Sequence, residues 1–283
     1  MYLLLSILSS TLIFIVFKLL TKYKVSTLHT ITVNYFVAFT IGISSYNQTV
    51  TVQNTLYSDW FPGAIFLGFL FISIFFVMAT TAQKNGVSVA SVASKMSVVI
   101  PIIFGIYMYN ESTGFQKIIG ICCALIAVYL ASVKSNSQIN FKKNLLLPVL
   151  LFIGSGTIDT TIKYIETTYV PENGIPIFSA SIFGIAAILG VITTLIKKDF
   201  GFNLKSLVSG LILGIVNYGS IYFLLKALDN ELFESSTLFT VNHVGIMMCS
   251  TLIGLLAFKE KLSVKNWLGL GLAVVAITLV TLA

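Results

Sequence analysis

The sequence has little charge. Of its 283 residues only 10% are charged, 57% are hydrophobic, and arginine is absent. A soluble domain carries about 25% charged residues to cover its surface. The scarcity of charge therefore excludes an ordinary soluble protein and predicts an integral membrane protein whose main partner is the lipid bilayer. The net charge of +7 falls mostly on lysines in short loops, so it does not indicate a nucleic-acid partner.

Cysteine and histidine are also scarce. The three cysteines lie in apolar runs without a C-x-x-C pair, so no disulfide framework is expected. The two histidines, His29 and His243, are far apart in sequence with no cysteine or carboxylate at ligand spacing. The phosphate-binding motif G-x-x-x-x-G-K-[ST] is missing as well. These absences argue against an intramembrane enzyme and an ATP-driven pump, and we expect neither metal nor cofactor.

Most of the sequence consists of long apolar runs. A helix needs about 20 apolar residues to cross about 30 Å of hydrocarbon. Lysine follows the first run instead of preceding it, and no A-x-A-like cleavage site is present, so this run is a span and not a signal peptide. The predicted fold is all-α with ten transmembrane helices, at 2–20, 26–44, 61–82, 87–108, 114–132, 144–164, 175–196, 204–228, 233–257 and 263–282.

The distribution of lysine predicts the orientation of these spans. Lys95 falls inside a span, and the other sixteen lysines divide thirteen to three between the two faces of the layout. An excess of lysine marks the cytoplasmic side of a membrane. We therefore expect a protein of the cytoplasmic membrane with loops 1–2, 3–4, 5–6, 7–8 and 9–10 in the cytoplasm and both termini outside.

The two halves of the chain resemble one another. Residues 111–130 align without gaps on residues 260–279. A weaker match at a separation of 145 places Ser10, Ile13 and Lys18 on Ser155, Ile158 and Lys163. The identities in the first alignment are Glu111/Glu260, Gly120/Gly269, Ala124/Ala273, Ala127/Ala276 and Leu130/Leu279.

A repeat of five spans forces the two halves into opposite orientations, because the number of spans is odd. The predicted organisation is a first repeat at 1–134, a cytoplasmic linker at 135–143 and a second repeat at 144–283. Inverted repeats of this kind place a substrate site near the midplane, between halves that move against each other. The small residues of the fifth and tenth spans predict that each packs against the other's neighbouring helices, or that they form a homodimer contact.

Ten spans in two halves, each ending in Glu, a short polar turn and a Gly/Ala-bearing helix, resemble the EamA-like members of the drug/metabolite transporter superfamily. The resemblance covers essentially the whole chain. It implies a ten-helix bundle with a central cavity, lined mainly by the first, third, fourth, sixth, eighth and ninth spans. Many members of the family have both termini in the cytoplasm, whereas the lysines here predict the reverse.

Polar groups at membrane depth are the candidate substrate-binding residues. Inserting a Lys or Asp at the centre of a transmembrane helix costs about 2.5–3.5 kcal/mol on insertion scales. We therefore expect each such residue to have a functional or structural role. Lys95 lies nine residues into the fourth span, with Ser91 one helical turn before it. It would hold an anionic or carbonyl group of the substrate, or it is a structural group tied to helix carbonyls or to Asp159. Pro101 follows in the same span, as a hinge or as a tolerated kink.

The ninth span carries Asn242 and His243, which the repeat offset aligns with Lys95. Asn242 is a candidate cavity residue, and His243 can titrate in the physiological range and so couple a proton to transport. Packing alone is the other interpretation of the histidine. The remaining candidates are Asn217 and Tyr218 in the eighth span and Asn34 in the second. These amides and hydroxyls would bind the substrate or hydrogen-bond neighbouring helices.

Asp159 lies four residues before Lys163, on the same helix face. This spacing favours a pair that neutralises itself. The alternative is that Asp159 is the counter-ion of Lys95 or a proton site. Taken together, the sequence predicts a secondary transporter for a small polar metabolite. The competing hypotheses are a channel or a non-transporting membrane scaffold.

Overall fold

The computed structural model describes residues 1–46, 52–85, 93–95, 97–109, 114–132, 146–171, 173–229, 234–258 and 263–281. All regular secondary structure in these ranges is helical, which confirms the predicted class. Eleven helices of five residues or more are described: α1 Tyr2–Tyr23, α2 Thr27–Ser44, α3 Val52–Leu56, α4 Phe61–Asn85, α5 Val99–Tyr109, α6 Phe115–Ser132, α7 Leu146–Tyr169, α8 Ile175–Lys197, α9 Leu204–Leu228, α10 Ser235–Phe258 and α11 Val264–Thr281.

Three of the described helices are long and apolar enough to cross a membrane by themselves. These segments are Phe61–Thr81, Ile175–Lys197 and Leu204–Leu228, and they coincide with the predicted third, seventh and eighth spans. Shorter apolar helical stretches fall in the predicted first, fourth, fifth and tenth spans. Their length and composition support an integral membrane protein.

The chain forms two compact units, and each unit draws on both halves of the sequence. The first unit consists of Met1–Phe76 and Thr161–Asp229. The second consists of Val77–Thr160 and Asn230–Ala283. The predicted repeats therefore do not correspond to separate compact bodies, because each half contributes helices to both units.

In the first unit, glycines let α2 pack closely against α8 and α9. A Cβ atom on Gly190 of α8 would lie 2.9 Å from Thr32 Oγ1, and one on Gly210 of α9 would lie 2.5 Å from Val33 Cβ. Further along α2, Gly42 meets Ala180. Thr32 thus lies beside Gly190 and Gly42 beside Ala180, so the two helices run in opposite directions. Small residues at such contacts are how helices associate in lipid.

In the second unit, α6 and α11 pack through alanines. Ala124, Ala127, Ala273 and Ala276 belong to one buried cluster, which Val244 and Met247 of α10 complete. The Gln116 side-chain amide at the start of α6 donates to the Leu279 carbonyl near the end of α11 at 3.3 Å, so the two helices are antiparallel. The fifth and tenth spans thus pack directly against each other and not only against neighbouring helices, and the homodimer stays a prediction.

The fourth span differs from the continuous helix predicted at 87–108. A helical turn at 93–95 is followed by a turn at Ser97–Val98, and α5 begins only at Val99. Pro101 explains this position, because proline has no N–H for the carbonyl four residues earlier and its ring clashes with that carbonyl. That residue is Ser97, whose carbonyl instead accepts the Ile100 N–H at 2.9 Å. Among the described residues, the span is therefore interrupted at Ser97–Val98, two residues after Lys95.

Candidate functional site

Lys95 is buried beside this break, with 8% of its surface exposed. The carboxylate of Asp159 on α7 acts electrostatically on its ammonium group. The Lys163 ammonium instead lies 3.3 Å from a Glu166 carboxylate oxygen and donates to the Leu228 carbonyl. The interpretation favoured by helical spacing, a self-neutralising Asp159–Lys163 pair, is therefore not what the structure supports. The role of Asp159 as the counter-ion of Lys95 stays a prediction, which its electrostatic effect on the Lys95 ammonium group favours.

His243 of α10 also lies close to the Asp159 carboxylate. Its Nε2 atom is 3.5 Å from an Asp159 carboxylate oxygen, and its Nδ1 atom is 2.9 Å from the Phe239 carbonyl. A carbonyl oxygen only accepts hydrogen bonds, so the Nδ1 atom carries a proton. The Nε2 atom of the neutral ring then presents a lone pair toward Asp159. Both His243 and its neighbour Asn242 are buried.

Two serines connect the Lys95 turn to α7. The hydroxyl oxygens of Ser94 and Ser155 are 3.4 Å apart, and the Ser97 hydroxyl donates to the Ser94 carbonyl at 2.6 Å. Gly156 has no side chain where a Cβ atom would overlap Ile100, so α7 approaches the broken span closely. Sequence reasoning missed Ser94 and Ser155 as site residues. Ser155 appeared only in the repeat alignment, where its match with Ser10 gave no functional signal.

The other candidates lie in the first compact unit. Asn34 of α2 and Asn217 of α9 are buried, as is Tyr218. The Asn34 amide donates to the Ile31 carbonyl at 3.5 Å, while its oxygen and the Asn217 amide nitrogen have no hydrogen-bond partner among the described residues. The Tyr218 ring lies 6.3 Å from that of Phe183, which in turn lies 6.1 Å from Tyr35.

The predicted site residues therefore fall into two groups. Lys95, Asp159, Asn242 and His243 belong to the second unit, whereas Asn34, Asn217 and Tyr218 belong to the first. Ser91 lies outside the described residues. Within the described part of the chain, no three His, Cys, Asp or Glu side chains are placed to hold a metal ion. The chemistry available in the second unit is that of a buried cation, a carboxylate and an imidazole.

A comparison with known families identifies the class of protein to which this architecture is similar. Residues 1–133 match the EamA-like transporter family. This match confirms the resemblance predicted from the sequence and supports a membrane transporter. The matched EamA-like segment contains Lys95 and Pro101, and so includes the broken span.

One curated relative and one solved structure each match nearly the whole chain. An uncharacterized protein of Haemophilus influenzae is 26% identical over 272 residues, which cover 94% of this chain and 92% of that protein. A solved crystal structure matches with a TM-score of 0.76 and covers 99% of this chain and 96% of its own. At 12% identity, this second likeness concerns the fold alone.

Proposed function

We propose that this protein is a secondary transporter that carries a small polar metabolite with a carboxylate or phosphate group across the cytoplasmic membrane by alternating access. The observation that carries this proposal is Lys95, a buried cation two residues before the interruption at Ser97–Val98, in a chain with an EamA-like first half. Lys95 binds the negative group of the substrate. Asn242 is the chain neighbour of His243, and its buried side-chain oxygen, which has no hydrogen-bond partner among the described residues, is offered to a substrate donor.

The electrostatics of Lys95 favour an anionic ligand over a purely structural role. A buried charge needs a partner, and Asp159 supplies one negative charge. That carboxylate is also engaged by His243, at 3.5 Å, so two basic groups share one acidic group. When His243 is protonated, two positive charges share this one carboxylate, and a substrate carboxylate or phosphate would provide the second negative charge.

The break in the fourth span gives the site a means of moving. Transporters of the inverted-repeat type bind substrates at interrupted helices, where unwound backbone lines a cavity. Here Pro101 positions the interruption within two residues of Lys95. Rotation at Ser97–Val98 would alter the side from which Lys95 is reached, which is the requirement of alternating access.

Helix directions within each unit support the proposed inverted repeat. The second and seventh spans, α2 and α8, are antiparallel, as are the fifth and tenth, α6 and α11. Ala124 and Ala273, which the repeat equates, belong to the same buried cluster. The family match ends at residue 133, one residue before the proposed end of the first repeat. In the first unit, Asn34, Asn217 and Tyr218 are retained as proposed substrate-binding residues.

Uptake by purified protein in liposomes tests the proposal. The solutes are radiolabelled amino acids, dicarboxylates and sugar phosphates, each assayed with the parent protein, Lys95→Ala and the exposed-lysine control Lys265→Ala. We expect saturable uptake of at least one solute, lost in Lys95→Ala and retained in Lys265→Ala. Saturable uptake that is unchanged in Lys95→Ala would contradict the role of Lys95. Uptake of no solute, or uptake without saturation, would contradict the carrier.

A further inference from the structure

We infer that Asp159 and His243 form a proton-binding site, and that this proton crosses the membrane together with the negatively charged substrate. The inference rests on the proposed function and adds its coupling ion. It follows from the hydrogen-bond geometry of one imidazole ring and from the charges around it.

The geometry leaves one position for an exchangeable proton. The Nδ1 proton of His243 is committed to the Phe239 carbonyl at 2.9 Å, because that carbonyl cannot donate. The Nε2 atom and an Asp159 carboxylate oxygen face each other at 3.5 Å. Without a further proton both are acceptors, and two acceptors in contact repel. A proton that binds to the Nε2 lone pair makes an imidazolium ion whose N–H donates to Asp159, and its loss restores the neutral ring.

The surrounding charges connect this proton to the substrate. The cluster consists of Lys95, Asp159 and His243. With His243 neutral, the charges of Lys95 and Asp159 cancel, and one bound proton raises the net charge of the cluster to +1. A singly charged anion on Lys95 leaves the unprotonated cluster at −1 and the protonated cluster at zero. A net charge away from water is costly, so the anion and the proton favour each other's binding. This coupling is reciprocal by thermodynamic necessity, and it predicts one proton for each molecule of a singly charged substrate.

The remaining ionisable groups of the second unit that the structure describes are paired, exposed, or thiols of which two are half-buried. On α6, Lys117 pairs with Glu234, which precedes α10. On α11, Lys265 is exposed, as is Tyr107 on α5. The described thiols of this unit are those of Cys122, Cys123 and Cys249. Asp159 and Lys95 are therefore the charged groups that the observed contacts assign to the His243 site.

The presence of only two histidines permits a direct test that needs no substrate. The protein, labelled with ¹⁵N in its imidazole rings and held in lipid nanodiscs, is examined by NMR at pH 8 and pH 5, with His29→Gln used to assign the signals. We expect His243 to carry a proton on Nδ1 at both pH values and to gain one on Nε2 only at pH 5. In Asp159→Asn the amide can donate to Nε2, so that nitrogen should stay unprotonated at both.

Two NMR results would overturn the proton site: a His243 ring protonated on Nε2 alone at pH 8, or an Nε2 atom that gains no proton at pH 5. The first measurement uses the parent chain, so it decides even if the variant does not fold. Coupling is tested by an internal pH dye in liposomes, with the solute taken up in the assay above. Uptake should acidify the lumen, and solute uptake without proton movement would contradict the coupling. The NMR result stands whether or not a solute is found, so the two proposals fail separately.

Discussion

Gly42 on α2 and Ala180 on α8 pack with their backbones almost in contact. A Cβ atom on Gly42 would lie 2.6 Å from the Ala180 Cβ atom and 3.0 Å from its Cα atom. Because backbone lies on the far side of this contact, a side chain at Gly42 cannot be accommodated by a rotamer change. The contact joins a helix from each half of the sequence.

Gly42→Val should therefore destabilise the first unit. Forcing extra groups into a close-packed contact costs about 1–3 kcal/mol, which should lower the melting temperature of the detergent-purified protein. Gly271→Ala is the matched control, since a Cβ atom at Gly271 has nothing within 4 Å. Equal melting temperatures for the two variants would show that α2 and α8 do not meet at Gly42.

The ion pair between Lys117 and Glu234 predicts that substituting one partner destabilises the protein more than substituting the other. The Lys117 side chain is 2% exposed, whereas Glu234 is 37% exposed. Glu234→Gln removes the negative charge beside a buried ammonium group and should cost roughly 1–3 kcal/mol. Lys117→Gln leaves behind a carboxylate that water can reach, so its cost should be smaller. Thermal unfolding of both variants measures the difference, and the reverse order would refute the pairing.

Pro101 should be important for transport and not for stability. Pro101→Ala restores the N–H that the Ser97 carbonyl lacks, so the helix can continue through the break next to Lys95. We expect a melting temperature equal to or above that of the parent, with uptake reduced about tenfold if movement at the break limits the rate. Normal uptake by a stable variant would remove the break from the mechanism.

Cysteine labelling tests the orientation that the lysines predict. Single cysteines at Lys22 and Tyr57, both exposed, are introduced into a chain whose three native cysteines are replaced by alanine. The cysteine at position 22 should react with an impermeant maleimide only after the cytoplasmic side is opened. The one at position 57 should react from outside in intact cells. The opposite pattern would place both termini in the cytoplasm.

Much of the fold could be predicted from the sequence, because hydrocarbon imposes simple requirements on length and composition. Apolar runs predicted the described helices within a few residues in cases such as α8 and α9. The composition of the compact units could not be predicted, since it depends on which small residues meet. The contacts of Gly190 with Thr32 and of Gly210 with Val33 leave no signal in either helix alone.

The sequence was enough to predict which residues belong to the candidate site, but not which of them contact each other. Lys95, Asp159 and His243 were recognised because charge and imidazole are rare in lipid. Helical spacing favoured Lys163 as the partner of Asp159, whereas Lys163 lies 3.3 Å from Glu166. Glu166 is a second local candidate for Lys163, three residues on in the same helix. Asp159 instead lies 3.5 Å from His243 on another helix, a contact that a single sequence does not contain. Pro101 indicated a kink, but the position of the break became clear only from the Ser97 carbonyl.

Counterflow tests the central claim, that this chain is a carrier with a binding site exposed alternately to the two sides. Liposomes are loaded with an excess of the unlabelled solute that the uptake assay identifies, and a trace of labelled solute is added outside. A carrier should concentrate the label inside transiently above its external level, and Lys95→Ala should abolish this overshoot. Label that only equilibrates, with the same time course in both proteins, would contradict the account.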